Sequence, residues 1–127
     1  MRRRGAAATE LAIALPLVLL IVGGVVEWGW YFSRSTALVQ VTRDAALAGV
    51  LTEVDDDPEG AALARAQDVL DALGFEPGSA TVEATVLDTA QGLTLEVSAS
   101  HPYDELLVFM PTPDQLAARA ELRLEDQ

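Results

Sequence analysis

Sixteen consecutive residues, 11–26 (LAIALPLVLLIVGGVV), carry no charged or strongly polar side chain. Such a run suits either a protein interior or the hydrocarbon of a bilayer, and its flanks decide between them. Arg2, Arg3 and Arg4 stand ahead of it, and Glu27, Trp28, Trp30, Tyr31 and Phe32 follow. A membrane-spanning helix needs about 20 largely apolar residues. Residues 11–26 fall slightly short of that, but 6–32 is long enough once the small and aromatic flanks are counted. Basic residues favour the cytoplasmic side, and Trp and Tyr favour the lipid–water boundary. On this reading Arg2, Arg3 and Arg4 are the cytoplasmic topology signal. Trp28, Trp30 and Tyr31 form a belt on the far side. Pro16 removes one helical hydrogen bond inside the run, so a bend is expected there.

Charge excludes a different set of functions. The chain has eight arginines, no lysine and twenty acids, for a net charge of −12. Three of the arginines precede Gly5, which leaves five against all twenty acids in the remainder. Such a domain is repelled by nucleic acid, so no nucleic-acid partner is expected. No cysteine is present, which rules out a disulfide staple or a thiolate metal site. Beyond the arm, roughly ninety residues suffice for a small core but not for a large enzyme cleft. His101 is the only histidine, and nothing in the sequence sets a nucleophile and a carboxylate beside it. It reads as a surface or strand-end residue. The sequence therefore predicts no enzyme, no catalytic residues and no cofactor.

Helical periodicity continues past the aromatic belt. Ala37, Leu38, Val41, Ala45 and Ala48 recur at three- and four-residue steps without a breaker. One helix of about forty residues, roughly 60 Å, is predicted from Ala7 to near Gly49. Residues 53–59 (EVDDDPE) form an acidic linker, which reads as a solvated loop rather than a calcium loop because the EF-hand spacing and its glycine are missing. Asp57 and Pro58 read as N-cap and first residue of a second helix, with Gly74 as its stop. Its stripe is Ala62, Leu63, Ala66, Val69, Leu70 and Leu73. After a turn at Glu76, Pro77 and Gly78, the period changes to two. Val82, Ala84 and Val86 mark one strand, and Leu93, Leu95, Val97 and Ala99 a second after a turn at 90–92. Ala118, Ala120, Leu122 and Leu124 mark a third. Between the last two lies an apolar run, 106–110, fenced by Pro102, Pro111 and Pro113. It reads as core beneath the sheet, or as a contact patch for another subunit.

The fold class expected is α+β. A long, membrane-spanning N-terminal helix leads into a small soluble domain. That domain has one or two further helices and a three-stranded antiparallel sheet.

The N-terminal pattern carries a family resemblance. Gly5, then Glu10 five residues later, then an unbroken apolar helix, resembles a type IV prepilin leader and mature start. More closely, RRRGAAATELAIALPLVLLIVGGVVEWGWYF is similar to the TadE-like family of the Tad (tight adherence, type IVc) pilus system. Glu10 with Leu11, Pro16, and Glu27 with Trp28 and Gly29 fill that family's places. A second Gly and Arg common in the family are Ala45, Ala46 and Leu47 here. The resemblance covers about the first fifty residues and implies a minor pilin or pseudopilin, with 1–5 as leader, 6–50 as the long helix and 51–127 as the soluble domain. It implies cleavage after Gly5 by a prepilin peptidase, leaving Ala6 as the new N-terminus. Glycine suits that position because it exposes the peptide carbonyl without a side chain. The alternative is that Gly5 merely ends a basic flank.

A carboxylate near the start of a membrane span is costly and marks function. Glu10 is therefore expected to pair with the amine of Ala6, in its own chain or a neighbour's, and to set register in a filament; the alternative is an unpaired carboxylate among the headgroups. Glu27 is expected to be solvated or locally paired, or else, with Pro16 and Trp28, to contact a second pilin. The partners implied are the prepilin peptidase, other minor and major pilins through the N-terminal helix, an inner-membrane assembly platform and membrane lipid. The location implied is the bacterial inner membrane with the N-terminus in the cytoplasm, then a pilus or pseudopilus. Two rivals stand beside this reading. One is a single-pass membrane protein with an extracytoplasmic ligand-binding or sensing domain. The other is an exported enzyme, which lacks both an A-x-A-like cleavage site and a catalytic constellation.

Overall fold

A computed structural model describes residues 2–53, 56–90, 92–107 and 110–124, with side chains from residue 7 onward. Two helices and three strands follow one another: α1 (Arg2–Val50), α2 (Pro58–Ala72), β1 (Thr81–Thr89), β2 (Gly92–Pro102) and β3 (Gln115–Arg123). The expected α+β class and the order of elements are as observed. The chain divides into two compact units. One comprises Met1–Phe32 with Glu105–Thr112, and the other Ser33–Asp104 with Pro113–Gln127.

Helix α1 begins five residues earlier than its apolar periodicity marks and is uninterrupted across Pro16. In the second unit its buried positions are Leu38, Val41, Thr42, Ala45, Ala46 and Gly49, a stripe in steps of three, one, three, one and three. Thr42 joins that stripe because its hydroxyl donates to the Val39 carbonyl at 3.0 Å, which removes the penalty for burying it. Gly49 is required by close approach. A Cβ there would run into the Leu95 side chain and lie 2.7 Å from the Pro58 carbonyl oxygen and 3.2 Å from Ala62 Cβ.

Helix α2 starts and stops where its sequence directs. The Asp57 carboxylate accepts from the Gly60 amide at 2.9 Å, and Pro58 occupies the first turn. At the other end Gly74 takes φ +73°, the Gly74 amide donates to Asp71 and the Phe75 amide to Leu70 at 3.0 Å. This is a Schellman stop, and its two apolar ends, Leu70 and Phe75, are both buried. Glu59, in the first turn, accepts from the Val86 amide at 2.7 Å and so occupies a backbone donor of edge strand β1.

The sheet is an antiparallel meander in the order β1-β2-β3. Register pairs Val86 with Leu95 and Leu95 with Leu122 across the three strands. The central strand is buried at Leu95, Val97 and Ala99, while the matching positions of β1 and β3 are half-buried. Strand β3 starts three residues earlier than its alternation marks, because pairing extends to Gln115 opposite Pro102. Phe75 is held between the Arg34 guanidinium, 5.0 Å from its ring, and the edge of His101 at 5.1 Å. His101 lies at the end of β2.

If Gly49 is fixed by close approach, Gly49→Ala will destabilise the full-length chain in detergent by about 1–3 kcal/mol. Gly29→Ala, where nothing lies within 4 Å of the new methyl, will not. Thermal or denaturant unfolding followed by circular dichroism reads the difference, and equal midpoints for the two variants would refute the packing assignment.

Candidate functional site

The first unit is the apolar arm with a short loop folded on it. From Ala7 to Val22 every side chain of α1 is exposed, with Ile13 at 74% and Val18 at 51%. A soluble core helix hides one stripe and exposes the other; this segment hides neither. It is the one helix among the described residues that is long and apolar enough to cross a membrane. Glu10 and Pro16 lie exposed on it, on the same continuous helix as Glu27. Glu10's expected partner, Ala6, falls with Arg2, Arg3, Arg4 and Gly5 outside the described side chains.

At the far end of the run the environment reverses within one residue. Glu27 is 0% exposed. Its Oε1 accepts from the Leu106 amide at 3.1 Å and its Oε2 from the Leu107 amide at 2.8 Å. The two donors are consecutive backbone N–H groups, so one carboxylate serves both. Charge-assisted bonds of this kind are roughly twice as strong as neutral ones and offset the cost of removing the carboxylate from water. The loop is closed by the Met110 amide, which donates to the Leu107 carbonyl at 2.9 Å. Met110 also covers α1, its Sδ lying 3.7 Å from where a Cβ on Gly24 would be. Around the next turn, Trp28, Tyr31 and Phe32 form a mutually packed aromatic group with ring centroids 5.6–5.7 Å apart. Trp28, Trp30 and Phe32 nonetheless remain exposed.

Two expectations change here. The solvated reading of Glu27 gives way to an in-chain pairing, because both oxygens are committed to the loop. Of the run 106–110, expected as core beneath the sheet or as a contact patch, Leu106, Leu107 and Met110 group with the N-terminal arm, with Leu106 52% exposed, while Val108 and Phe109 lie outside the described residues. Apolar content alone could not show that this run has a backbone acceptor waiting for it on the helix. The available signal was the coincidence of one acid just past an apolar run and one proline-fenced apolar loop far along the chain. Nothing in the sequence links Gly24 with Met110.

No metal-binding group of three or more His, Asp or Glu residues occurs among the described residues. Asp57 and Glu59 of the acidic linker are occupied as a helix cap and as the acceptor for Val86.

Comparison with known proteins bears on this same segment. Residues 5–47 match the TadE-like protein family. The match starts at Gly5 and takes in Glu10, Pro16, Glu27 and Trp28. The TadE-like segment thus coincides with α1 almost throughout. Searches of curated proteins and of solved structures returned no match.

Glu27→Ala leaves two amides without their acceptor, each at a cost of about 1–3 kcal/mol. Hydrogen exchange at residues 105–107 and 110 of the membrane-reconstituted chain will therefore accelerate about tenfold or more, since about 1.4 kcal/mol corresponds to tenfold. Amides of β2 will keep their rates. Unchanged exchange in the loop would contradict the pairing.

Proposed function

We propose that this chain is a minor pilin or pseudopilin that acts structurally in the assembly, initiation or capping of a Tad-type pilus or a related secretion apparatus. The observation that carries the reading is the division of labour along α1 within the TadE-like match. Residues 7–22 expose apolar side chains around the whole helix, while residues 38–49 supply one wall of a soluble core. A helix of that kind is held by lipid at first and can later exchange lipid for neighbouring helices without rebuilding its own domain. The same continuity argues against a disposable signal, because the chain just past the span is bonded into the fold through Glu27.

In this reading a prepilin peptidase cuts after Gly5 and leaves Ala6 as the mature N-terminus. Arg2, Arg3 and Arg4 hold that end in the cytoplasm before cleavage, and the sheet domain lies outside the inner membrane. Glu10 pairs with the new amine of its own or a neighbouring subunit and fixes axial register in the assembled bundle. Other pilins and the membrane assembly platform are the partners of the exposed arm.

Intact-mass spectrometry of the chain, expressed in a host carrying the matching peptidase, tests the reading. Loss of residues 1–5, blocked by Gly5→Leu, is the expected result. A mature chain retaining Met1 would overturn it and leave a single-pass membrane protein with an outer sensing or binding domain. Glu10→Ala is expected to be processed but to lose co-purification with other pilus subunits. Normal assembly of that variant would remove the register role.

A further inference from the structure

We infer that Leu106, Leu107 and Met110, on the loop that Glu27 holds, lie at the outer lipid–water boundary as a second, non-spanning anchor beside α1. The inference rests on α1 spanning a membrane. Four observations within the N-terminal unit carry it.

The first is depth. Met110 packs on Gly24, which lies inside the uncharged run 11–26 and four residues before Trp28. At about 1.5 Å per residue, that places Met110 about 6 Å deeper than Trp28 along the helix. With the aromatic belt at headgroup level, the loop reaches the edge of the hydrocarbon. The second is chemistry. The segment LLVFMPTP, residues 106–113, has no charge, whereas Asp104 and Glu105 before it and Asp114 after it mark where the chain returns to water.

The third is backbone satisfaction. Non-helical backbone at the depth of lipid is tolerated only where its polar groups are bonded within the protein. The Leu106 and Leu107 amides are bonded to Glu27 and the Met110 amide to Leu107. Pro111 has no amide to satisfy. The fourth is exposure. Leu106 is half exposed on a loop whose neighbouring helix face is itself exposed and apolar, so the patch is continuous with the span's own lipid-facing surface. Lipid is therefore the occupant the geometry favours over a second copy of this chain. The attachment needs no anionic headgroups, as expected for a strongly acidic domain.

The chain has no cysteine, so single-cysteine probes are unambiguous. Leu106→Cys, Val18→Cys in the span and Thr85→Cys on exposed β1 are each labelled with a small fluorophore. Each full-length chain is then reconstituted in phosphatidylcholine vesicles. Quenching by nitroxide-bearing lipid is compared with quenching by aqueous iodide. The expected result is lipid-borne quenching at Leu106 within about twofold of that at Val18, with iodide excluded, and the reverse at Thr85. Adding Glu27→Ala to the Leu106→Cys chain should restore iodide access there and leave Val18 unchanged.

Iodide access at Leu106 equal to that at Thr85, with Val18 in lipid, would overturn the loop inference and leave the span intact. Protection at Leu106 from both quenchers, with self-quenching that grows with protein density, would overturn it in favour of a second copy. A Val18 label open to iodide would remove the membrane-spanning reading itself.

Discussion

A carboxylate buried at the end of an apolar helix must find donors, and that requirement sets how the N-terminal unit is built. Glu27 meets it with two consecutive amides from a loop seventy-nine and eighty residues further along the chain. The loop in turn needs an acceptor, because its amides are removed from the strand ladder. The β2–β3 pairing runs to Pro102 opposite Gln115, and the Tyr103 amide donating to Asp114 at 2.9 Å closes the neck. Beyond that neck, among the described residues, Leu106 and Leu107 belong to no strand. The acid and the Leu106 and Leu107 amides satisfy one another, which accounts for a glutamate directly after the apolar run.

The second constraint is that one helix carries two different surfaces. Over residues 7–22 α1 has no buried stripe. Over its last three turns it presents Leu38, Val41, Thr42, Ala45, Ala46 and Gly49 to the soluble core. The small residues at the end of that stripe allow a close approach to the start of α2, and Gly49 is the point where even a methyl would not fit. The sheet then needs only one apolar face, carried mainly by the central strand.

Much of this was legible from residue pattern because the signals are local. Asp57 with Pro58, Gly74, and the alternation through Leu93, Leu95, Val97 and Ala99 each fix a backbone state within a few residues, and the elements form there. Periodicity places Ala37 and Ala48 in the helix stripe, yet they are only half-buried, while Thr42, Ala46 and Gly49 are buried in it. A threonine looks polar until its hydroxyl bonds to the preceding turn, and a glycine shows its need for space only once its neighbours are placed. The partner of Glu27 was not legible, since nothing local links residue 27 to residues 106 and 107. The misplacement of the apolar loop has the same origin. Hydrophobicity records a preference for leaving water, not whether a sheet or a lipid boundary receives the side chain.

The central claim is that the Glu27 carboxylate holds two consecutive backbone amides at the end of the apolar run of α1. Amide proton shifts of the full-length chain in lipid nanodiscs measure this most directly, because short charge-assisted bonds move amide protons downfield. The account predicts downfield signals for Leu106 and Leu107 that move upfield together in Glu27→Gln, while the Val86 amide, bonded to Glu59, stays in place. Leu106 and Leu107 signals at unstructured positions, in fast exchange with water and indifferent to the substitution, would contradict it.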